Sequence, residues 1–398
     1  MDGTDTAVSS RPESTQQTPV QRRGLAGACV AHAVHDGYTD QLYVLLPIWQ
    51  AEFGLSYTGL AVVRALYFGP MGGLQVPADR ATRWLDPRTA LALATCVAAG
   101  GYLLMALPAG FATLCVGLVL AGIGSSVQHP RASLLVTQAY GSAARGPLGV
   151  YNFAGDLGKA AFPAAVALLL TLLPWRPVVG LMAGVGLAVA VALLALIPRQ
   201  LGQPAAGPAR ADVSEGSPVG FGLLLAIGAL DTAVRTGYLL FLPFMLQARG
   251  GGAASIGLGL ALLFIGGALG KAACGWLGQR LGVAWSVIVT EAATALLIAT
   301  TIVLPLTGML IALPILGIVL NGTSSVLYGT VPELAPKGDV GRAFALFYTG
   351  GVGAGGLAPI AYGAIADHAG QTFAIIAAAL TAMAIMPLVL ALRWQLPR

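Results

Sequence analysis

The sequence predicts an all-α membrane protein of twelve transmembrane helices, built as two six-helix bundles related by a parallel pseudo-repeat. Three observations predict it. Of the 398 residues, 57% are hydrophobic and only 9% charged, where a soluble domain has roughly a quarter charged. The apolar residues gather into twelve stretches, each near the ~20 residues that cross a hydrocarbon core of ~30 Å. Landmarks also recur about half a chain apart.

Taken in order, residues 1–20 are polar and read as a disordered cytoplasmic tail. They carry no apolar signal-peptide core, so no cleaved signal is expected. The first bundle covers 21–197, with spans at 24–48, 57–78, 89–108, 110–137, 146–173 and 178–197. Residues 198–218, rich in Pro, Gly and Ala, read as a cytoplasmic linker. The second bundle covers 219–398, with spans at 219–247, 253–278, 284–306, 308–331, 342–366 and 371–393. The frequent Gly (54) and Pro (24) fit membrane helices, whose neighbours repair lost backbone bonds. No ~10-residue alternating segments are present, which argues against a barrel. Pro47 and Pro243 end the first and seventh spans; "DR" at 79–80 answers "QR" at 279–280; "SSV" at 125–127 recurs at 324–326; Gly155 and Pro163 answer Gly351 and Pro359. Such halves meet in transporters around a site near the bilayer midplane. The four cysteines, Cys29, Cys96, Cys115 and Cys274, lie inside apolar spans without a CxxC pair and read as buried, inert thiols.

A pI near 9.1 could mark a nucleic-acid binder, but the distribution of charge excludes it. Arg11, Arg22, Arg23, Arg80, Arg83, Arg88, Arg145, Arg199, Arg210, Arg280, Lys337, Arg342, Arg393 and Arg398 fall on one side of the twelve spans. Only Arg176 and Arg249 fall on the other. The positive-inside rule puts both termini in the cytoplasm. The macromolecular partner is a lipid bilayer.

Ten charged residues remain inside spans: Asp36, Asp40, Asp156, Asp231, Glu291, Arg64, Arg131, Lys159, Arg235 and Lys271. Each costs at least ~2.5 kcal/mol at mid-membrane, so each demands a partner or water. Spacing offers Asp231 with Arg235 at i, i+4. Depth offers Lys271 with Glu291, and Arg131 with Asp156 and Lys159 as a gate latch or an anion site. His32, Asp36, Asp40, Tyr43 and Pro47 form one stripe on the first helix. Arg64 lies at the depth of Asp36, so the two acids either balance Arg64 or exchange protons. His32, His35 and Asp36 share a helix, which rarely closes a metal site, and no metal or cofactor is expected.

The loop "QVPADRATRW" (75–84) resembles the Gly-x-x-x-Asp-Arg-x-Gly-Arg signature of the major facilitator superfamily. Asp79, Arg80 and Arg83 match it as the gating-loop motif, and Gln75 and Thr82 replace its glycines. The second copy, "GWLGQRLG" (275–282), has Gln279 for the aspartate. "HAVHD" (32–36), "FGLSY" (53–57) and "GIGSSVQHPRA" (122–132) together resemble the fosmidomycin-resistance-type exporters of that superfamily. Arg131 stands where that group has an acidic residue, and "AGDLGKA" (154–160) replaces a neutral stretch.

The resemblance implies a multi-pass transporter of a bacterial inner membrane, working by alternating access, with the first, fourth, seventh and tenth helices lining a cavity. The polar stripe and its depth make His32, Asp36 and Asp40 proton-coupling candidates, Asp36 foremost, and the resemblance adds His129 as a residue facing the cavity. Tyr43, Arg64, Arg131, Asp156, Lys159, Asp231, Arg235, Tyr238, Asn321 and Tyr328 become the candidates for contact with a small-molecule substrate. A monomer exporting a small organic molecule or drug against protons is the leading reading. Proton-coupled uptake of a small organic anion is the alternative. No HExxH, Walker loop or nucleophile elbow is present, which argues against an enzyme or receptor.

Overall fold

The computed structural model describes residues 17–199, 216–336 and 340–396. Residues 1–16 of the expected tail and 200–215 of the expected linker lie outside them, with Arg11, Arg210, Lys337 and Arg398.

The described chain is helical: α1 (Pro19–Phe53), α2 (Tyr57–Gly73), α3 (Gln75–Thr82), α4 (Pro87–Ala106), α5 (Phe111–Ser126), α6 (Gln128–Tyr140), α7 (Arg145–Leu169), α8 (Trp175–Leu196), α9 (Pro218–Ala248), α10 (Ala253–Thr301), α11 (Leu306–Leu334), α12 (Val340–Ala369) and α13 (Gln371–Arg393). Helix α1 starts inside the expected tail, because Thr18 and Gln21 form a capping box and Pro19 takes the first helical turn.

Four of the expected spans need comment. The second is broken at Leu74 into α2 and α3, and the fourth at Val127 into α5 and α6. The eighth and ninth run together as the 49-residue α10. A single straight helix of that length would be roughly 74 Å, over twice a hydrocarbon core of ~30 Å, and α10 is instead two helices joined at a kink. It divides at Gly282, whose φ of 77° lies in the left-handed region. Eight helical stretches, with α10 as one and Phe111–Tyr140 as another, are long and apolar enough to cross a membrane. Helices α1 and α7 are not among them; they hold Asp36, Asp40, Asp156 and Lys159. Helix α2 has only 17 residues.

The helices before residue 200 pack on one another, with α7 on α1 and α4 on α5 and α8. Those after 216 do likewise, with α10 on α11 and α12 on α9. The two groups meet along α7–α10, α2–α12 and α1–α9. At one end Asp367 of α12 caps the start of α2, accepting from the amides of Tyr57 (2.8 Å) and Thr58 (3.0 Å). Partial burial resists ionisation of Asp367, but hydrogen bonds from Thr58 and Tyr57 outweigh it and hold the carboxyl below the usual range. The Tyr57 ring seals the same end against Phe241 and Phe244, with centroids 5.5 and 5.2 Å away. Of the cysteines only Cys274 is buried; Cys96 is exposed, and Cys29 and Cys115 are half-buried. An apolar span has a lipid face as well as a protein face, so the expectation of four buried thiols is corrected.

Small residues let α10 and α11 touch backbone to backbone. A Cβ on Gly270 would stand 2.1 Å from the carbonyl oxygen of Ile318. Gly270→Leu is therefore expected to push the helices apart, at a cost of at least about 1–3 kcal/mol. Thermal unfolding of detergent-purified protein checks this, and an unchanged midpoint rejects the close contact.

Candidate functional site

The stripe on α1 faces α6 and α7. Asp36 is buried at its centre, with His32 Nε2 3.2 Å from Oδ2, Lys159 Nζ 3.3 Å from Oδ2 and His129 Nε2 3.7 Å from Oδ1. His32 Nδ1 lies 2.9 Å from the carbonyl of Tyr151, and the Tyr151 ring stacks on the imidazole at 4.0 Å. Gly155 makes room for this cluster, since a Cβ there would stand 2.6 Å from His32 Cε1 and 2.7 Å from Asp36 Oδ2. Two charged helices can approach this closely because the acid of α1 meets the lysine of α7 and each neutralises the other.

Asp156, also on α7, is buried and joins the two groups of helices. Lys271 of α10 donates to both its oxygens at 2.7 Å. Lys159 Nζ stands 3.7 Å from Oδ1, one of the two oxygens Lys271 contacts. This corrects the pairing of Lys271 with Glu291 and of Arg131 with Asp156. Both followed from depth along the spans, and depth does not say which way a side chain faces around the helix. Arg131 of α6 instead holds the gating loop: its Nε lies 3.2 Å from Asp79 Oδ1 and its Nη2 donates to the Asp79 carbonyl at 2.8 Å. Arg80 and Arg83 of that loop are exposed.

Asp40, one turn along α1 from Asp36, is buried at 7% exposure. Among the described residues it makes no ion pair and no side-chain hydrogen bond. The charged groups that act on it are Lys159 of α7, Asp36 of its own helix, Arg64 of α2 and Arg235 of α9. Arg64 does not close on either acid, which corrects the expected balance. Its guanidinium lies over the rings of Phe68 (3.7 Å) and Tyr43 (4.6 Å), and Nη1 donates to the Gly355 carbonyl of α12 at 3.3 Å. Cation–π contacts replace the carboxylate.

In the second group of helices, Asp231 and Glu291 of α10 are both buried, and among the described residues Asp231 makes no ion pair with Arg235, which is half-buried. Asn321 lies against Gly267 of α10 and donates to Gly317 of its own helix at 3.3 Å. Tyr238 is fully buried, whereas Tyr328 is 38% exposed and rests on Phe344 and Phe347. The structure thus brings His32, Asp36, His129, Asp156 and Lys159 together, sets Tyr43 and Arg64 beside Asp40, and leaves Asn321 and Tyr238 in helix packing. Sequence reasoning missed Lys271 as part of this site, because residue counting along a span does not show which neighbouring helix its side chain faces. The side chains of His129 (26%), Lys159 (29%) and Lys271 (36%) keep partial exposure, so the cluster borders open space. A separate groove of about 510 Å³ near Pro47, Glu52 and Gln247 holds none of the clustered residues.

A family model for the Major Facilitator Superfamily matches residues 28–226 and 224–398. The chain is 25% identical to the fosmidomycin resistance protein of Escherichia coli (strain K12) over 361 residues, 87% of each protein. Its fold matches that of a bacterial homologue of the human lysosomal transporter Spinster, solved inward-facing and occupied, with a TM-score of 0.77 and 15% identity over 96% of this chain and 98% of that one. It also matches a POT family transporter solved with 5-aminolevulinic acid, with a TM-score of 0.75 and 14% identity over 93% and 96% of the two chains. With the family model spanning nearly the whole chain on a fold these transporters share, the protein belongs to the Major Facilitator Superfamily and is a multi-pass membrane transporter, not an enzyme.

Proposed function

We propose that the protein is a proton-coupled exporter of a small organic molecule bearing an acidic group. It works by alternating access in a bacterial inner membrane, as a monomer with both termini cytoplasmic. The observation that carries the coupling is Asp40. A buried carboxyl that no cation pairs is neutral by carrying a proton, and it ionises only when water or a cation reaches it. Asp36 is a poorer carrier, because Lys159 and His32 already hold it. Alternating access exposes Asp40 to water on each side in turn, and rearrangement of Lys159, Arg64 or Arg235 sets when the proton leaves. Lys159 and Lys271 border the open space with His129, and two ammonium groups there favour a cargo with negative charge. Their presence also keeps uptake of an organic anion as the second reading. Similarity to the fosmidomycin resistance protein supports the outward direction.

Fosmidomycin is the first probe. Expression in a sensitive host is expected to raise the concentration that the host survives, and everted vesicles should accumulate the compound on acidification of their interior. Raised accumulation by intact cells favours uptake, while unaltered survival and unaltered accumulation remove this compound as the cargo.

A further inference from the structure

We propose that His32, Asp36 and His129 bind one divalent transition-metal ion of the zinc class, with His35 as a fourth donor within reach. The donor atoms of the first three lie within 4.8 Å of one another. The tautomer of His32 is set by its surroundings: Nδ1 faces the Tyr151 carbonyl, which only accepts, so Nδ1 carries the hydrogen. In neutral His32 the Nε2 lone pair then faces Asp36, free to bind a metal in place of a proton. Metal-ligating histidines are oriented in this way, by donating the other ring N–H to a carbonyl or carboxylate.

His32 Nε2 stands 3.2 Å from Asp36 Oδ2, a hydrogen-bond distance when a proton lies between them and also the spacing of two ligands on one metal ion. Bonds of ~2.0–2.1 Å to a tetrahedral zinc ion set neighbouring ligand atoms about 3.3 Å apart. His129 Nε2 is 3.7 Å from the other carboxylate oxygen, so a small rotation brings it to the same spacing. The second, independent observation is His35. It is 5% exposed, its Nε2 has no hydrogen-bond partner, and that atom stands 4.0 Å from Asp36 Oδ1. The His129 ring meets those of His32 and His35 edge-on, with centroids 5.0 and 4.7 Å away. Imidazole and carboxylate donors of this kind suit zinc, cobalt and nickel.

Lys159 is the antagonist. Its ammonium sits 3.3 Å from Asp36 Oδ2 and 3.7 Å from Asp156 Oδ1. Metal entry requires it to turn wholly to Asp156, since two cations do not share one carboxylate oxygen in a buried site. The metal therefore competes with Lys159. A surface histidine pair would show no such competition. The site sits one turn from Asp40, and its occupancy does not depend on what the protein transports.

The test is a Co²⁺ titration of the tag-free, detergent-purified full chain, followed by visible absorption and equilibrium dialysis. The expected result is one Co²⁺ per chain with the strong bands of a four-coordinate site, displaced by Zn²⁺. His129→Ala should weaken binding by at least about tenfold, and Lys159→Met should tighten it by about tenfold. Thermal unfolding of each variant without metal reports folding. No saturable uptake, or uptake unchanged in His129→Ala, overturns the site. Should His129→Ala fail to fold, Lys159→Met decides: tighter binding supports the site, and unchanged or weaker binding overturns it.

Discussion

Asp40→Asn is expected to abolish transport driven by a pH gradient in proteoliposomes, while substrate exchange without a gradient continues. Asparagine keeps the shape and hydrogen-bonding capacity of the side chain but cannot ionise. The gradient-driven rate should fall by about 10² or more, the loss typical when a proton-transferring group is removed. The fold should survive, because Asp40 makes no ion pair among the described residues whose loss would strand a charge. Asp36→Asn should behave differently. It takes the carboxylate from Lys159 and His32, so its first effect is on folded yield and thermal stability. The two variants separate a proton carrier from an ion-pair centre on the same helix, one turn apart. Equal gradient-driven rates for wild type and Asp40→Asn would return the proton to Asp36 or to the Asp156 cluster.

The order of the two acids shows what one sequence can and cannot tell. Composition and apolar run length made the helical membrane fold legible, because both are properties of single segments. The polar stripe on α1 was legible too, since a 3.6-residue period places His32, Asp36 and Asp40 on one face. Which acid is free and which is paired depends on Lys159 of α7, more than a hundred residues away, and no local pattern carries that. The same limit explains Lys271 and Arg131. Depth along a span follows from counting residues, but azimuth around the bundle follows only from how helices pack. Asn321 read as a cavity residue because it is polar, yet Gly267 opposite gives it a seat inside the α10–α11 contact. The boundary between the eighth and ninth spans was legible: Gly282 falls in the turn expected there and is the residue that leaves helical geometry inside α10.

Lys271 and Asp156 are expected to be coupled in a double-mutant cycle, and Lys271 and Glu291 are not. Removing one partner of a buried ion pair strands the other and costs about 3–5 kcal/mol. Lys271 is about one-third exposed, so water shares its charge and the expected cost is smaller, about 1–2 kcal/mol. The two single changes differ in kind. Lys271→Met leaves Asp156 with Lys159 at 3.7 Å, whereas Asp156→Asn leaves Lys271 without a carboxylate within reach. The double variant Lys271→Met, Asp156→Asn removes both charges and should recover stability relative to the sum of the single losses, by at least ~0.5 kcal/mol. Lys271→Met with Glu291→Gln should instead be additive within ~0.3–0.5 kcal/mol, since the lysine pairs with Asp156 and makes no ion pair with Glu291 among the described residues. Thermal unfolding of the four proteins in each cycle, wild type included, reads both cycles. The ion pair ties α7 to α10 across the seam between the two groups of helices, so breaking it should also favour separation there. A disulfide cross-link engineered across that seam near Gly257, where α10 lies against Pro163 and Ala164 of α7, should then form more slowly in either single variant. Additivity in the Lys271/Asp156 cycle with unchanged cross-linking would reduce the contact to a chance approach of two polar side chains.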